Sequence, residues 1–231
     1  MRSNRPPKRA ARPPLRPSGS FEVTRLRPPT MAHTALVTVL FADLRGYTGM
    51  AERLPAAGLV PLLEEFFRVL SVATGTYGGQ IFHMAGDGIM AGFGINPDDG
   101  DGAAAALAAG HAMLKGFVPL AERWRVELCI EAGIGVGLHL GEVAFGALGP
   151  PRRKTTTIVG DTVNVAARLC SRARAGEVLF SCTVAAALSS MTEASNSMGT
   201  APFLQLPQFE LRGRRVPIDI WCVPAPERLT L

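Results

Sequence analysis

Two carboxylates carry the first chemical reading. Asp43 falls at the end of an apolar, β-branched run, in Phe41-Ala42-Asp43-Leu44-Arg45-Gly46-Tyr47-Thr48. Asp87 lies in Gly86-Asp87-Gly88, between two short apolar runs. A carboxylate at the end of such a run is costly to bury unless it is paired or holds a cation. Two of them on neighbouring strand ends can bind Mg²⁺, a hard ion that takes a few protein oxygens together with substrate phosphates. The backbone after Asp43, through Gly46, Tyr47 and Thr48, can come close to phosphates and cradle them with its N–H groups. Taken singly, Asp43 also reads as a helix cap and Asp87 as an ordinary turn aspartate. Their order and context favour the metal reading.

A second pair is Asn164 and Arg168 in Thr162-Val163-Asn164-Val165-Ala166-Ala167-Arg168-Leu169. Four residues apart, they share one face of a helix. The apolar flanks Val163, Val165 and Leu169 argue for a placed arginine over a surface salt bridge. No Ser-His-Asp arrangement is evident, so positioning and charge stabilisation, without a covalent nucleophile, are the chemistry on offer.

The elements that must position these groups follow from periodicity. Residues 34–44 read as a central strand. Residues 57–75 read as a helix with Leu59, Leu62, Leu63, Phe66, Phe67 and Leu70 on its apolar face, closed by Gly78-Gly79. Gln80–Ala85 and Gly88–Gly94 form a hairpin through the glycine-flanked Asp87. A helix follows over about 101–124, then two strands over 130–148 and a helix over 160–173 capped by Asp161. A strand VLFS, a short helix TVAAALSS, a polar loop over 191–205 and a closing hairpin of FELRG with VPIDIWCV complete the chain. The β-α-β-β-α-β order implies an α+β fold of ferredoxin-like type, an antiparallel-containing sheet with helices on one face.

Composition sets the bounds. The chain has 231 residues, 47% of them hydrophobic, enough for one medium domain with a proper core. No window of about 18 residues is free of charged and polar groups, which argues against a membrane span. The four cysteines lack metal-ligand spacing, so reduced, mostly buried thiols in a cytoplasmic protein are expected. The net charge of +5 resides in residues 1–30, which hold eight basic residues against the single acid Glu22 and seven prolines. Proline removes donors and fixes φ, so this tail is expected to be disordered. It reads as a solvated extension, as a weak electrostatic contact for acidic surfaces, or as sequence upstream of a start at Met31. Aromatic residues beyond Phe21 are lacking, which argues against a specific nucleic-acid platform.

The blocks FADLRGYT, HMAGDGIMAGFG, GVGLHLGEV and TTTIVGDTVNVAARL together resemble the class III nucleotidyl cyclase catalytic domain, over about residues 34–223. The implied division is a tail over 1–30 and a catalytic domain over 31–231. The resemblance implies that Asp43, Asp87 and the Leu44 carbonyl hold two divalent ions, Mg²⁺ or Mn²⁺. It implies that Asn164 positions the ribose, that Arg168 stabilises charge at the reacting phosphate, and that Arg212 binds the terminal phosphates where the family has lysine. The substrate would be a nucleoside triphosphate, ATP first, with the 3′-oxygen attacking the α-phosphorus. The partner would be a second copy of the chain, because each site of this family is built from opposite subunits.

The chain departs from the family at the base. Adenylate cyclases of this class read adenine with a lysine and with an aspartate or threonine; here Thr157 fits, and His83 replaces the lysine. Lysine only donates, whereas neutral histidine donates or accepts according to tautomer. His83 donating and Thr157 accepting suits adenine or cytosine; the reverse suits guanine or uracil. His83 also has a reading as a strand residue that touches no base, and His139 reads as structural. A non-catalytic nucleotide-binding module is the alternative of another class. A diguanylate-type enzyme is disfavoured, because AGDGI lacks the GGDEF pattern.

Overall fold

A computed structural model describes residues 33–150, 152–194, 203–210 and 217–223. The basic tail and Arg212 lie outside the described residues. The elements run β1 (His33–Arg45), α1 (Tyr47–Arg53), α2 (Ala56–Thr76), β2 (Gln80–Ala85), β3 (Gly88–Phe93), α3 (Ala103–Leu128), β4 (Gly133–Leu148), β5 (Thr155–Val159), α4 (Asp161–Arg172), β6 (Val178–Ser181), α5 (Cys182–Ala194), β7 (Leu204–Phe209) and β8 (Ile218–Val223). The sheet order is β2-β3-β1-β4-β6-β8-β7, with β5 pairing β4. Its β2-β3-β1-β4 half, with α2 and α3 as the connections, is the ferredoxin-like unit expected from the pattern. Among the described residues, only β4 and β6 pair in parallel.

β1 is apolar almost throughout because both its faces are covered. Leu40, Ala42 and Leu44 join Ile134, Val136 and Leu138 of β4 in the main core, beneath α2, α3 and α5. Val37 and Val39 face the other way and pack with Val143, Phe145 and Ala166. Ala166 belongs to α4, so α4 lies on the opposite face from α2 and α3. The expectation of helices on one face is corrected accordingly. Helix α3 is long and apolar enough to cross a membrane by length and composition alone. Here Ala106, Ala109, Met113, Phe117 and Trp124 pack it into the core.

Several boundaries also differ. Residues 130–148 are not two strands: β4 is one strand of 16 residues. Its glycines do not break it; Gly137 and Gly141 admit α4. A Cβ on Gly137 would lie 2.5 Å from the Ala166 carbonyl oxygen and 2.7 Å from Cys170 Cα. A Cβ on Gly141 would lie 2.6 Å from Thr162 Oγ1. Asp161 is the first helical residue of α4, and Gly160 takes the cap position. The short helix α1 and the strand β5 were not anticipated. The polar 191–205 stretch begins as the end of α5 and finishes in β7, with 195–202 outside the described residues. Two of the four free cysteines, Cys170 and Cys222, are buried, whereas Cys129 is exposed.

Gly137→Ala is expected to destabilise the domain by about 3 kcal/mol, since the new methyl group meets helix backbone that cannot rotate away. A denaturant midpoint measured at constant slope checks this. A change under about 0.5 kcal/mol would show that α4 does not rest on bare strand backbone.

Candidate active site

Asp43 is the third-last residue of β1, and its neighbours across the sheet are Gly88 on β3 and Gly135 on β4. The β2–β3 turn has two residues, Gly86 and Asp87, and Gly86 has φ +60, the first-position signature of a type II′ hairpin. The Leu44 N–H donates to the Asp87 carbonyl oxygen at 2.9 Å, so the turn is pinned to the strand end. Gly88 leaves space for the carboxylate: a Cβ there would sit 3.0 Å from Asp43 Oδ1.

The electrostatics follow from this placement. Partial burial pushes the Asp43 carboxyl above its usual range, and the Asp87 charge pushes it further. The Arg45 guanidinium opposes both, through its charge and a hydrogen bond from Nη1 to Asp43 Oδ2. A carboxylate whose proton affinity is raised by a second carboxylate close by is suited to a divalent cation. No group of three or more His, Cys, Asp or Glu converges among the described residues. Two carboxylates with open coordination fit Mg²⁺ or Mn²⁺ completed by substrate oxygens better than an all-protein cage.

Immediately beyond, Gly46 is the left-handed cap residue of α1, and Tyr47 and Thr48 form its first turn. No side chain caps this end. The backbone N–H groups of a first helical turn have no partner within their helix. The Gly46-Tyr47-Thr48 segment thus follows directly on Arg45, at the same strand end as Asp43.

Helix α4 buries Val165, Ala166, Leu169 and Cys170 and exposes Asn164 and Arg168 on its outer side. The two side chains share a face, as their spacing requires. Asn164 lies about 9 Å along the helix axis from Cys170, which marks the end nearer Asp43. His83 is exposed on β2, paired with Met90 next to a register shift. Thr157 is half-buried on β5, opposite Gly146. β2 and β5 touch, so the two base-reading candidates sit on adjoining elements. His139 is buried beneath α4, with Nδ1 2.7 Å from Ser181 Oγ, as a structural histidine would be. The residue that sequence reasoning missed is Arg45; its only local signal is the two-residue spacing from Asp43, which puts both on one strand face.

Residues 30–216 match the family model of the adenylate and guanylate cyclase catalytic domain. An adenylate cyclase of Anabaena cylindrica is 33% identical over 146 residues, 60% of this chain and 27% of that protein. The chain thus spans about a quarter of that relative's length. The adenylyl cyclase CyaB from P. aeruginosa superposes with a TM-score of 0.74 at 29% identity, covering 87% of this chain and 100% of that one. The guanylyl cyclase Cya2 superposes with a TM-score of 0.69 at 27% identity, covering 85% and 95%. Fold, motif order and this match agree, and the chain belongs to the class III adenylate and guanylate cyclase catalytic domain family.

Proposed function

We propose that the domain converts a nucleoside triphosphate, ATP foremost, into the 3′,5′-cyclic nucleotide and pyrophosphate, at two sites formed between two copies of the chain. The observation that carries this reading is the Asp43–Asp87 pair, held together by the Leu44 N–H and close enough to raise the Asp43 proton affinity.

Asp43, Asp87 and the Leu44 carbonyl would hold two divalent ions, Mg²⁺ or Mn²⁺, which when bound make the 3′-hydroxyl more acidic and neutralise the leaving pyrophosphate. The N–H groups of the cap residue Gly46 and of Tyr47 and Thr48 in the first turn bind phosphate oxygens, and Arg212 adds a cation for the terminal phosphates. Asn164 orients the ribose so that its 3′-oxygen lies in line with the α-phosphorus. Arg168 lies against the α-phosphate and stabilises the charge that develops there. In one chain Asn164 and Arg168 are exposed on the outer side of α4, whereas Asp43 lies near the end of the central strand β1. This arrangement supports a homodimer in which each chain gives its carboxylates to one site and α4 to the other.

Incubation with each of the four nucleoside triphosphates and Mn²⁺ or Mg²⁺, read by mass, tests the proposal. Cyclic product that vanishes in Asp43→Ala is expected. Tight nucleotide binding with no product from any of the four would favour the non-catalytic module.

A second reading rests on His83. The chain is similar to both an adenylyl and a guanylyl cyclase, so base choice falls to His83 and Thr157. Imidazole is shorter than a lysine stem and takes either hydrogen-bonding role, which also suits a pyrimidine nucleotide or GTP. His83→Lys is expected to shift the ratio of kcat/KM toward ATP by about ten-fold or more, one well-placed hydrogen bond. An unchanged base profile would mean that His83 touches no base.

A further inference from the structure

Arg45 occupies a seat made from its own strand and two distant parts of the chain. Its Nη1 donates to Asp43 Oδ2. Its Nε donates to the Ala173 carbonyl oxygen at 2.9 Å, and Nη2 donates to the Cys170 carbonyl oxygen. Those carbonyls belong to the C-terminal end of α4, where the Cys170 oxygen also accepts the Ala173 N–H and a cation meets the negative end of the helix dipole. The third part is Gly135 on β4: a Cβ there would lie 2.8 Å from Arg45 Cζ, so only glycine leaves room for the guanidinium. The Arg45 side chain is 22% exposed, which makes this an enclosed contact and not a solvated surface pair.

The division of the Asp43 carboxylate is informative. Oδ2 is taken by Arg45, while Oδ1 is the oxygen beside Gly88, on the strand that follows Asp87. A planar fork that fixes one oxygen also fixes the direction of the other. Asp43 is thereby oriented with one oxygen toward the turn that carries the second carboxylate.

We propose that Arg45 is a positioning residue that aims Asp43 for the divalent cation and ties it to the end of α4. The proposal rests on the cation reading given under Proposed function. In the two-chain arrangement α4 serves the opposite site from Asp43, so Arg45 links a carboxylate of one site to the ribose-and-phosphate helix of the other. A change at one site then reaches the other through a single side chain.

Two variants keep every charge and break the seat. Arg45→Lys retains the cation but cannot reach Asp43 and two carbonyls at once. Gly135→Ala leaves Arg45 intact and fills its place. Each is titrated with Mn²⁺ alone, followed by the loss of free-ion electron paramagnetic resonance, and each is examined by amide hydrogen exchange over residues 169–175. The expected result is Mn²⁺ affinity lowered by about ten-fold, the usual effect of losing a partner that orients a metal ligand, together with faster exchange at the end of α4. Affinity within two-fold of the parent in both variants, or unchanged exchange, overturns the proposal. Asp43→Asn is the control. If it leaves parental Mn²⁺ affinity unaltered, the cation reading fails and this proposal fails with it. If it abolishes binding while the Lys and Ala variants bind like the parent, the failure is that of Arg45 alone.

Discussion

Asp43→Asn is expected to lower cyclic-nucleotide formation by at least about a thousand-fold, since on the proposed cation reading it removes a charged ligand from the place where phosphate charge must be neutralised. The same variant is expected to be as stable as the parent at neutral pH, or more stable. Burial and the Asp87 charge raise the Asp43 pKa in the folded chain above its unfolded value. Below the unfolded value the carboxyl is protonated in both states, and its ionisation costs the fold nothing. As pH rises through the folded value, the penalty for ionising it in place appears in full. Asparagine carries no such penalty. The melting temperature of Asp43→Asn relative to the parent, measured without divalent ions, should therefore increase as pH is raised from the acidic side through the raised pKa of Asp43. A variant that loses activity and melts well below the parent at neutral pH would instead place Asp43 among the structural residues.

Arg168→Ala is expected to reduce turnover by about two to three orders of magnitude, the loss typical of one donor aimed at developing charge. The larger effect is in combination. Asp43→Ala and Arg168→Ala chains, co-expressed with different tags and purified through both, form a dimer with one doubly damaged site and one intact site. That heterodimer should recover about half of the parental activity per dimer, although each variant alone is inactive, because in the proposed shared-site arrangement the intact site draws its carboxylates and its arginine from different chains. Recovery near zero in a verified heterodimer would mean that both groups act within one chain, and the shared-site arrangement would fall. The order of the two half-sites along the sequence makes this a clean separation, as Asp43 and Arg168 lie on different elements and share no hydrogen bond among those described.

The sequence was most legible where packing imposes a period. Leu59, Leu62, Phe66 and Leu70 mark α2 because one helical stripe must meet the core, and all four are buried. The hairpin of β2 and β3 was legible because its turn needs a positive φ at Gly86, which glycine meets without a steric cost. β4 was misread because its glycines serve a partner far away in sequence, and a local pattern cannot distinguish glycine that ends a strand from glycine that clears a path. β5 was missed because Thr155, Thr156 and Thr157 look like a polar loop, although threonine is well suited to a strand edge. In the site, the carboxylates announced themselves by their flanks. Arg45 did not, because its α4 contacts lie 125 and 128 residues away.

The stripe of glycines under α4 fixes how thin the domain is at that point. A helix resting on side chains can be raised or lowered by swapping one residue for a larger or smaller one, and neighbours then resettle. Where α4 crosses Gly137 and Gly141 it meets naked backbone, which offers no such adjustable shim, while the rest of its underside packs on side chains such as Val39 and Leu179. At that crossing the height of the helix is set by van der Waals radii, and with it the level at which Asn164 and Arg168 meet whatever lies above them. Efforts to retune this protein should therefore alter the outward side of that helix and leave its underside alone.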